Sequence, residues 1–188
     1  MAIYFNNPFF SISNHEVYLD VGAYDGDTIR DFIDTTKGQF NKIMAIEPEK
    51  KSFAKLRAYV QSTGMKNIEI YDNGCWNENG NLKLELNEES SGISNQGTES
   101  IVVKRIDDQF AKEDITLIKI NFLYGVTETL SGAKNVLKNL KPNLAITVGF
   151  DEWGLIKIPQ IIKSLNPDYK LHLRYASPMP ARLILFAH

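Results

Sequence analysis

The stretch of residues 16–28, EVYLDVGAYDGDT, constrains the fold more than any other part of the chain. An alternating apolar run ends in Asp20, and two glycines follow at Gly22 and Gly26. This pattern predicts a buried strand, a tight turn and a helix near Asp27–Lys37. Because glycine has no Cβ, the backbone of such a turn can lie close to a ligand, at the positive end of the helix.

A second apolar run, Ile43–Ile46, ends in Glu47 and Pro48. In a doubly wound sheet, an acid at the tip of the second strand holds the hydroxyls of a ribose. The glycine turn and this acid together predict a cofactor that contains a nucleoside.

The charge of the turn indicates which nucleoside-containing cofactor is bound. The glycine spacing is Gly-x-x-x-Gly and not the Gly-x-Gly-x-x-Gly of dinucleotide-binding proteins. Carboxylates at Asp20, Asp25 and Asp27 would repel a pyrophosphate, which disfavours an NAD-dependent oxidoreductase. They suit the sulfonium and amino groups of S-adenosylmethionine. For the turn alone, an ordinary Asp-Gly turn before a helix stays as the alternative interpretation.

Length, charge and cysteine content limit the number of domains and the kinds of partner that this chain can have. The chain has 188 residues, a net charge of −2 with scattered lysines and arginines, and one cysteine, Cys75. These values predict a single domain over residues 1–188, with no nucleic-acid partner and no internal disulfide. No apolar run is long enough to span a bilayer and no secretory signal is evident, so a cytoplasmic location away from membranes is expected. The oligomeric state and the presence of an upstream domain are left open.

Strand-like and helix-like periodicities alternate along the chain, which predicts an α/β fold with a mostly parallel sheet. The predicted strands are Glu16–Val21, Lys42–Ile46, Asn67–Tyr71, Ile115–Phe122, Asn143–Phe150, Tyr169–Tyr175 and Arg182–Ala187. The predicted helices are Asp27–Lys37, Lys50–Thr63, Thr127–Asn139 and Gly154–Leu165. The link Ala176–Pro180 is too short for a crossover helix, so the last two strands are expected to be antiparallel.

An insert divides the two halves of this pattern. The segments Asn81–Leu86 and Ser100–Ile106 alternate strictly and flank a polar loop, Glu88–Gly97. We interpret residues 81–106 as an inserted β-hairpin with a mobile tip near the cofactor end of the sheet. A solvated loop with no role is the alternative.

The order of these signals resembles the FkbM-type methyltransferases over nearly the whole chain. The blocks that carry the resemblance are Tyr4-Phe5, residues 16–28, Ala45–Pro48, Arg105–Asp108, Leu117–Ile120, Gly132-Ala133 and Tyr169–Arg174. The resemblance implies a Rossmann-like seven-stranded methyltransferase fold with strand order 3-2-1-4-5-7-6 and an antiparallel seventh strand. It also implies methylation from S-adenosylmethionine, mostly of hydroxyls on sugars and natural products.

The resemblance also assigns cofactor-binding residues. The residues that match the loop under the methionyl part are Asp20, Gly22, Ala23, Tyr24, Asp25 and Gly26, with Thr28 capping or lining that loop. Glu47 matches the ribose acid and Pro48 follows it. Trp76, after the third strand, is expected either to stack on the adenine or to close the edge of the core.

The acceptor side departs from the family pattern. Three acids that the family carries after its fourth strand are replaced by Asn121, Leu123 and Val126. After the fifth strand, Gly149 and Phe150 stand where family members often have Tyr-His. No metal site is therefore expected.

The candidate catalytic residues are Asp151, Tyr124 and Asn121, at the ends of the fourth and fifth predicted strands. One interpretation is an active methyltransferase whose more apolar site takes a small-molecule or saccharide acceptor. The alternative is a catalytically impaired domain that binds S-adenosylmethionine and has a regulatory or scaffolding role.

Overall fold

The computed structural model describes residues 3–86, 91–93, 99–122, 124–149, 151–175 and 183–188. Its strands are β1 (Val17–Val21), β2 (Lys42–Ile46), β3 (Ile68–Tyr71), β4 (Gly74–Cys75), β5 (Gly80–Leu86), β6 (Ser91–Ile93), β7 (Glu99–Lys104), β8 (Leu117–Ile120), β9 (Asn143–Val148), β10 (Leu171–Tyr175) and β11 (Leu183–Ala187). Its α-helices are α1 (Asp27–Thr36), α2 (Lys50–Thr63), α3 (Ile106–Gln109), α4 (Val126–Ser131), α5 (Lys134–Asn139) and α6 (Ile158–Leu165).

The main sheet has seven strands in the order β3-β2-β1-β8-β9-β11-β10. Neighbouring strands are parallel except β11, which is antiparallel to both β9 and β10. The predicted fold class and the antiparallel final pair are therefore confirmed. Because β1, β2, β3, β8 and β9 run in the same direction, their carboxyl ends meet at one edge of the sheet, here called the carboxyl edge.

The central strands of the sheet are buried on both faces. In β1, Leu19 and Val21 pack into a core on one face, while Tyr18 belongs to the core on the other face. This alternation follows from the period of two in a strand, and it explains why the central strands are mostly apolar, with Asp20 in β1 and Lys119 in β8 as exceptions. The N-terminal Phe5 closes the second core, with its ring edge-on to Tyr18 at 5.5 Å between centroids.

A second sheet has the order β4-β7-β5-β6. Its strands β5 and β7 are antiparallel, with Leu82 opposite Ile101. Residues Ser91–Ile93, predicted as loop, pair with β5 as β6, which corrects that prediction. The other residues of the predicted polar loop, 88–90 and 94–97, lie outside the described residues, as do the link 176–180, Leu123 and Phe150.

Two predicted helices are interrupted, and the structure shows a cause for each interruption. The helix predicted over Thr127–Asn139 is split into α4 and α5 at Gly132. A Cβ on Gly132 would lie 1.9 Å from the backbone oxygen of Trp76, so only glycine permits this approach. In the predicted helix Gly154–Leu165, a π-helical turn covers Trp153–Lys157 before α6 begins.

The π-helical turn has a cause in the sequence. Pro159, at the start of α6, has no N–H and cannot donate to the carbonyl four residues earlier. Within the described ranges, no helix is both long and apolar enough to cross a membrane.

Candidate functional site

The turn after β1 is held between the ends of β2 and β8. The backbone N–H groups of Gly22 and Ala23 both donate to the carbonyl of Ile46, at 3.0 Å. Gly22 has φ of +77°, and a Cβ there would lie 3.0 Å from the backbone oxygen of Asn121. Gly26 has φ of +89° and begins α1. The glycines thus serve the turn that the sequence predicts, and the turn is packed against two neighbouring strands.

Asp20, the second-last residue of β1, supports this turn with its side chain. Its Oδ1 is 2.7 Å from the ammonium of Lys119, and Thr28 donates its hydroxyl to Oδ2 at 2.6 Å. Lys119 also donates to the carbonyl of Gly22 at 2.7 Å. The side chains of Asp20 and Lys119 have no exposed surface. Both carboxylate oxygens of Asp20 therefore have protein partners, and the contacts of Asp20 with Thr28 and Lys119 stabilise the turn.

Lys119 was missed by the sequence analysis as a site residue. The signal for it was a lysine in the middle of an otherwise apolar strand, Leu117–Ile120. A buried lysine needs an anionic partner, and Asp20 supplies it.

The two other carboxylates of the turn differ in their surroundings. Asp25 is paired with Arg30 at 3.2 Å, and the Arg30 guanidinium lies 4.1 Å from the centroid of the Tyr59 ring. Asp27 is exposed in the first turn of α1, where a negative charge is stabilised by the helix dipole. The structure thus gives protein cations to Asp20 and Asp25, so these two charges are not left for a cationic ligand.

Glu47 joins the turns that follow β1 and β2. Its Oε2 accepts the backbone N–H of Tyr24 at 2.8 Å, and its Oε1 accepts that of Glu49 at 2.9 Å. Burial raises the pKa of Glu47, and the two backbone hydrogen bonds oppose that shift. Each carboxylate oxygen can accept a second hydrogen bond. Tyr24 adopts φ of +52° here, and its side chain is exposed.

Pro48 and Trp76 lie at different cavities. Pro48 lines a groove of about 250 Å³ with Phe53, Asp72 and Val102. Trp76 lines a polar cavity of about 600 Å³. A Cβ on Gly125 would lie 2.5 Å from the Trp76 ring, so that ring packs on the backbone before α4. This contact supports the interpretation that Trp76 closes an edge of the core.

The predicted catalytic residues follow β8 and β9, whose carboxyl ends are adjacent. Asn121 Oδ1 accepts the hydroxyl of Thr147 at 2.9 Å. Tyr124 is 65% exposed. Asp151 Oδ1 accepts the N–H of Gly154 at 2.8 Å, which caps the π-helical turn. The three residues therefore lie at the same edge, with Asn121 and Asp151 each engaged by a protein partner.

The described residues contain no group of three or more histidine, cysteine, aspartate or glutamate side chains that could hold a metal ion. Cys75 is buried, and burial raises the pKa of its thiol.

Neither a family model nor a curated protein matches this sequence. Among solved structures, the chain is similar to the crystal structure of the methyltransferase FkbM from Methylobacillus flagellatus KT, with a TM-score of 0.84 and 24% sequence identity. The chain has the Rossmann-like methyltransferase fold. The alignment covers 98% of this chain but 46% of the FkbM chain, so the protein described here spans less than half the length of that structure.

Other methyltransferases share the fold at lower similarity. An rRNA methylase from Streptococcus thermophilus aligns with a TM-score of 0.56 and 14% identity over 94% of this chain and 87% of that one. Fibrillarin from Aeropyrum pernix, with natively bound S-adenosyl-L-methionine, aligns with a TM-score of 0.54 and 12% identity over 95% of this chain and 70% of that one. The resemblance to FkbM-type methyltransferases is thus confirmed at the level of the fold.

Proposed function

We propose that this chain binds S-adenosylmethionine at the carboxyl edge and transfers its methyl group to an acceptor. The observation that carries the proposal is Glu47, a buried carboxylate at the end of β2 with both oxygens fixed by backbone N–H groups. In a doubly wound sheet this is the position of the acid that holds a ribose. Each oxygen would accept one hydroxyl of the ribose.

The turn after β1 suits the methionyl part. The positive φ values of Gly22 and Gly26 shape this turn, and α1 presents its N-terminus to the same edge. The contacts of Lys119 with Asp20 and Gly22 hold this backbone in place before any ligand binds. A preformed site loses less entropy on binding, which favours affinity.

Taken alone, the resemblance to FkbM-type methyltransferases favours the hydroxyl of a small molecule or saccharide as the acceptor. A nucleic-acid acceptor is disfavoured because the net charge is −2 and the cations are scattered. Trp76 and Pro48 line different cavities. Both residues would contact the cofactor only if its adenine end reaches both cavities.

The test is calorimetric titration of the purified chain with S-adenosylhomocysteine and, separately, with NAD. Saturable binding of S-adenosylhomocysteine and no heat with NAD is the expected result. Binding of NAD alone, or of neither compound, would contradict the proposal.

A second candidate is a cofactor-binding domain without catalysis. The observation that favours it is that Asn121 and Asp151 already have protein partners. Binding of S-adenosylhomocysteine without methyl transfer to any acceptor class would support this candidate over the first.

A further inference from the structure

Asn121 is oriented by a relay of two hydroxyl groups. Thr147 donates to Asn121 Oδ1 at 2.9 Å, and Tyr4 Oη lies 2.9 Å from Thr147 Oγ1. Because the Thr147 proton is used on Asn121, Tyr4 is the donor in the second bond. The relay is buried at Tyr4 and Thr147, while Asn121 is exposed. The amide therefore presents one free lone pair and two N–H groups in a fixed orientation at the end of β8.

The same edge carries exposed aromatic surface. Tyr124, three residues after Asn121, is 65% exposed, and Trp153 in the π-helical turn is 60% exposed. That turn folds back on the end of β9, since a Cβ on Gly154 would lie 2.2 Å from the carbonyl oxygen of Gly149. β8 and β9 are paired neighbours, so both aromatic residues follow adjacent strand ends. Single π-helical turns are rare and occur frequently at functional sites.

These side chains favour a nucleophile that needs no base. An amide can accept a hydrogen bond but cannot remove a proton. A hydroxyl acceptor without a base forgoes a rate contribution of about 10²–10⁴-fold. The Asp151 carboxylate, the candidate base that the sequence indicates, caps the π-helical turn through Gly154, and the carboxylate of Glu128 accepts the hydroxyl of Thr127.

We propose that the acceptor is a planar aromatic molecule with a nitrogen nucleophile, stacked on Tyr124 or Trp153 and oriented by Asn121. This inference rests on the proposed methyl transfer, and it assigns a nitrogen acceptor in place of the hydroxyl that the resemblance alone favours. An N–H of the acceptor donates to Asn121 Oδ1, which directs the nitrogen lone pair towards the methyl group. The lone pair forms the new C–N bond as the C–S bond breaks, and the electrons of that bond stay on sulfur as a neutral thioether. The cationic nitrogen product then releases its proton to water.

The first test measures transfer of a labelled methyl group to three matched sets of compounds. They are aromatic amines of one to three rings, phenols with the same ring skeletons, and methyl glycosides without an aromatic ring. Transfer confined to the amines is the expected result. Transfer confined to phenols or glycosides, or to no set while S-adenosylhomocysteine still binds, overturns the inference. Failure of S-adenosylhomocysteine to bind would instead overturn the proposed function.

The second test separates the roles of the residues on the amine that is methylated. Asn121→Ala should lower kcat/KM by about 10²-fold, because a misoriented acceptor loses that much. Thr147→Val should lower kcat more than it raises KM, and Thr147→Ser should restore kcat. Asp151→Asn retains a capping side chain and should cost less than tenfold, whereas a loss of ~10²-fold or more would indicate a general base and overturn the inference.

The third test addresses the aromatic surface. Trp153→Ala should raise KM for the amine roughly tenfold, the size expected for loss of one stacking contact. The control is Leu140→Ala, an exposed leucine that precedes the amino end of β9. Equal KM for the two variants, and for Tyr124→Ala, would overturn the stacking part of the inference.

Discussion

The ammonium of Lys119 lies 2.7 Å from the carboxylate of Asp20, and neither side chain has exposed surface. The two residues are direct register partners on β8 and β1. The pair also reaches the cofactor turn, because Lys119 donates to the carbonyl of Gly22. The turn proposed to hold the cofactor therefore depends on a buried ion pair beneath it.

Removing the cation should be costly. Lys119→Met leaves Asp20 buried with one oxygen unpaired, and the free energy of unfolding should fall by about 3–5 kcal/mol. The matched control is Lys42→Met, which breaks partly exposed pairs with Glu69 and Glu113 and should cost about 0–1 kcal/mol. Urea denaturation measures both. Equal losses of unfolding free energy in the two variants would show that the buried pair stabilises the protein no more than the partly exposed pairs do.

Asp20 also shows where sequence reasoning succeeds and where it stops. The sequence predicts Asp20 at the end of the first strand, next to the glycine turn, and the structure agrees; its role towards a cofactor stays a prediction. Its partner is not predicted, because the pairing of Asp20 with Lys119 depends on β8 lying beside β1, two elements that are far apart in the chain. The sequence predicts that the Asp20 carboxylate faces a cationic ligand, whereas its cationic partner in the structure is the Lys119 side chain.

Ionisation of Glu47 should make the free energy of unfolding depend on pH. Burial raises its pKa above the usual 4.5, so its stabilising contribution is complete below that value and is lost as the pH rises through the folded-state pKa. Compared with Glu47→Gln, the wild-type chain should therefore lose free energy of unfolding as the pH rises above 4.5. Denaturant unfolding at a series of pH values measures the difference.

Glu69 provides a control of opposite sign. A hydrogen bond from Tyr71 lowers the pKa of Glu69, so its contribution is present above 4.5 and is lost as the pH falls through the folded-state pKa. The difference between wild type and Glu69→Gln should run in the opposite direction along the pH axis. The same trend for both glutamates would contradict the assigned environments.

A side chain at Gly132, between α4 and α5, should destabilise the protein. Gly132→Ala places a Cβ 1.9 Å from the Trp76 carbonyl oxygen, and the backbone shift should cost about 1–3 kcal/mol. Gly80→Ala is the control, because no atom lies within 4 Å of a Cβ there. Thermal unfolding should show a lower Tm for Gly132→Ala alone; a Tm equal to that of Gly80→Ala would be evidence against the close approach.

The break between α4 and α5 explains one error of the sequence analysis. Apolar periodicity continues across residues 127–139, so the sequence predicts one helix. The interruption comes from contact with Trp76, on a distant part of the chain. The π-helical turn at Trp153–Lys157 was likewise not predicted, although Pro159 marks where regular helical hydrogen bonding must change.

Asp107 should stabilise the start of α5. Its carboxylate accepts the N–H of Asn135 at 3.0 Å and that of Val136 at 3.1 Å. Asp107→Ala should lower the free energy of unfolding by about 1–2 kcal/mol, the usual size for loss of a cap. Its neighbour Asp108, which is more exposed, is the control, and Asp108→Ala should cost less. A larger loss for Asp108→Ala would refute the capping role.

The most direct measurement is calorimetric titration with S-adenosylhomocysteine of wild type, Glu47→Ala, Glu47→Gln and Glu69→Gln. We expect saturable binding by wild type and by Glu69→Gln. Glu47→Ala should weaken it by roughly 10²-fold, since hydrogen bonds to a charged group are lost, and Glu47→Gln by less. Circular dichroism checks that each variant is folded. An affinity for the Glu47→Ala variant equal to that of wild type, or no binding by wild type, would contradict the account.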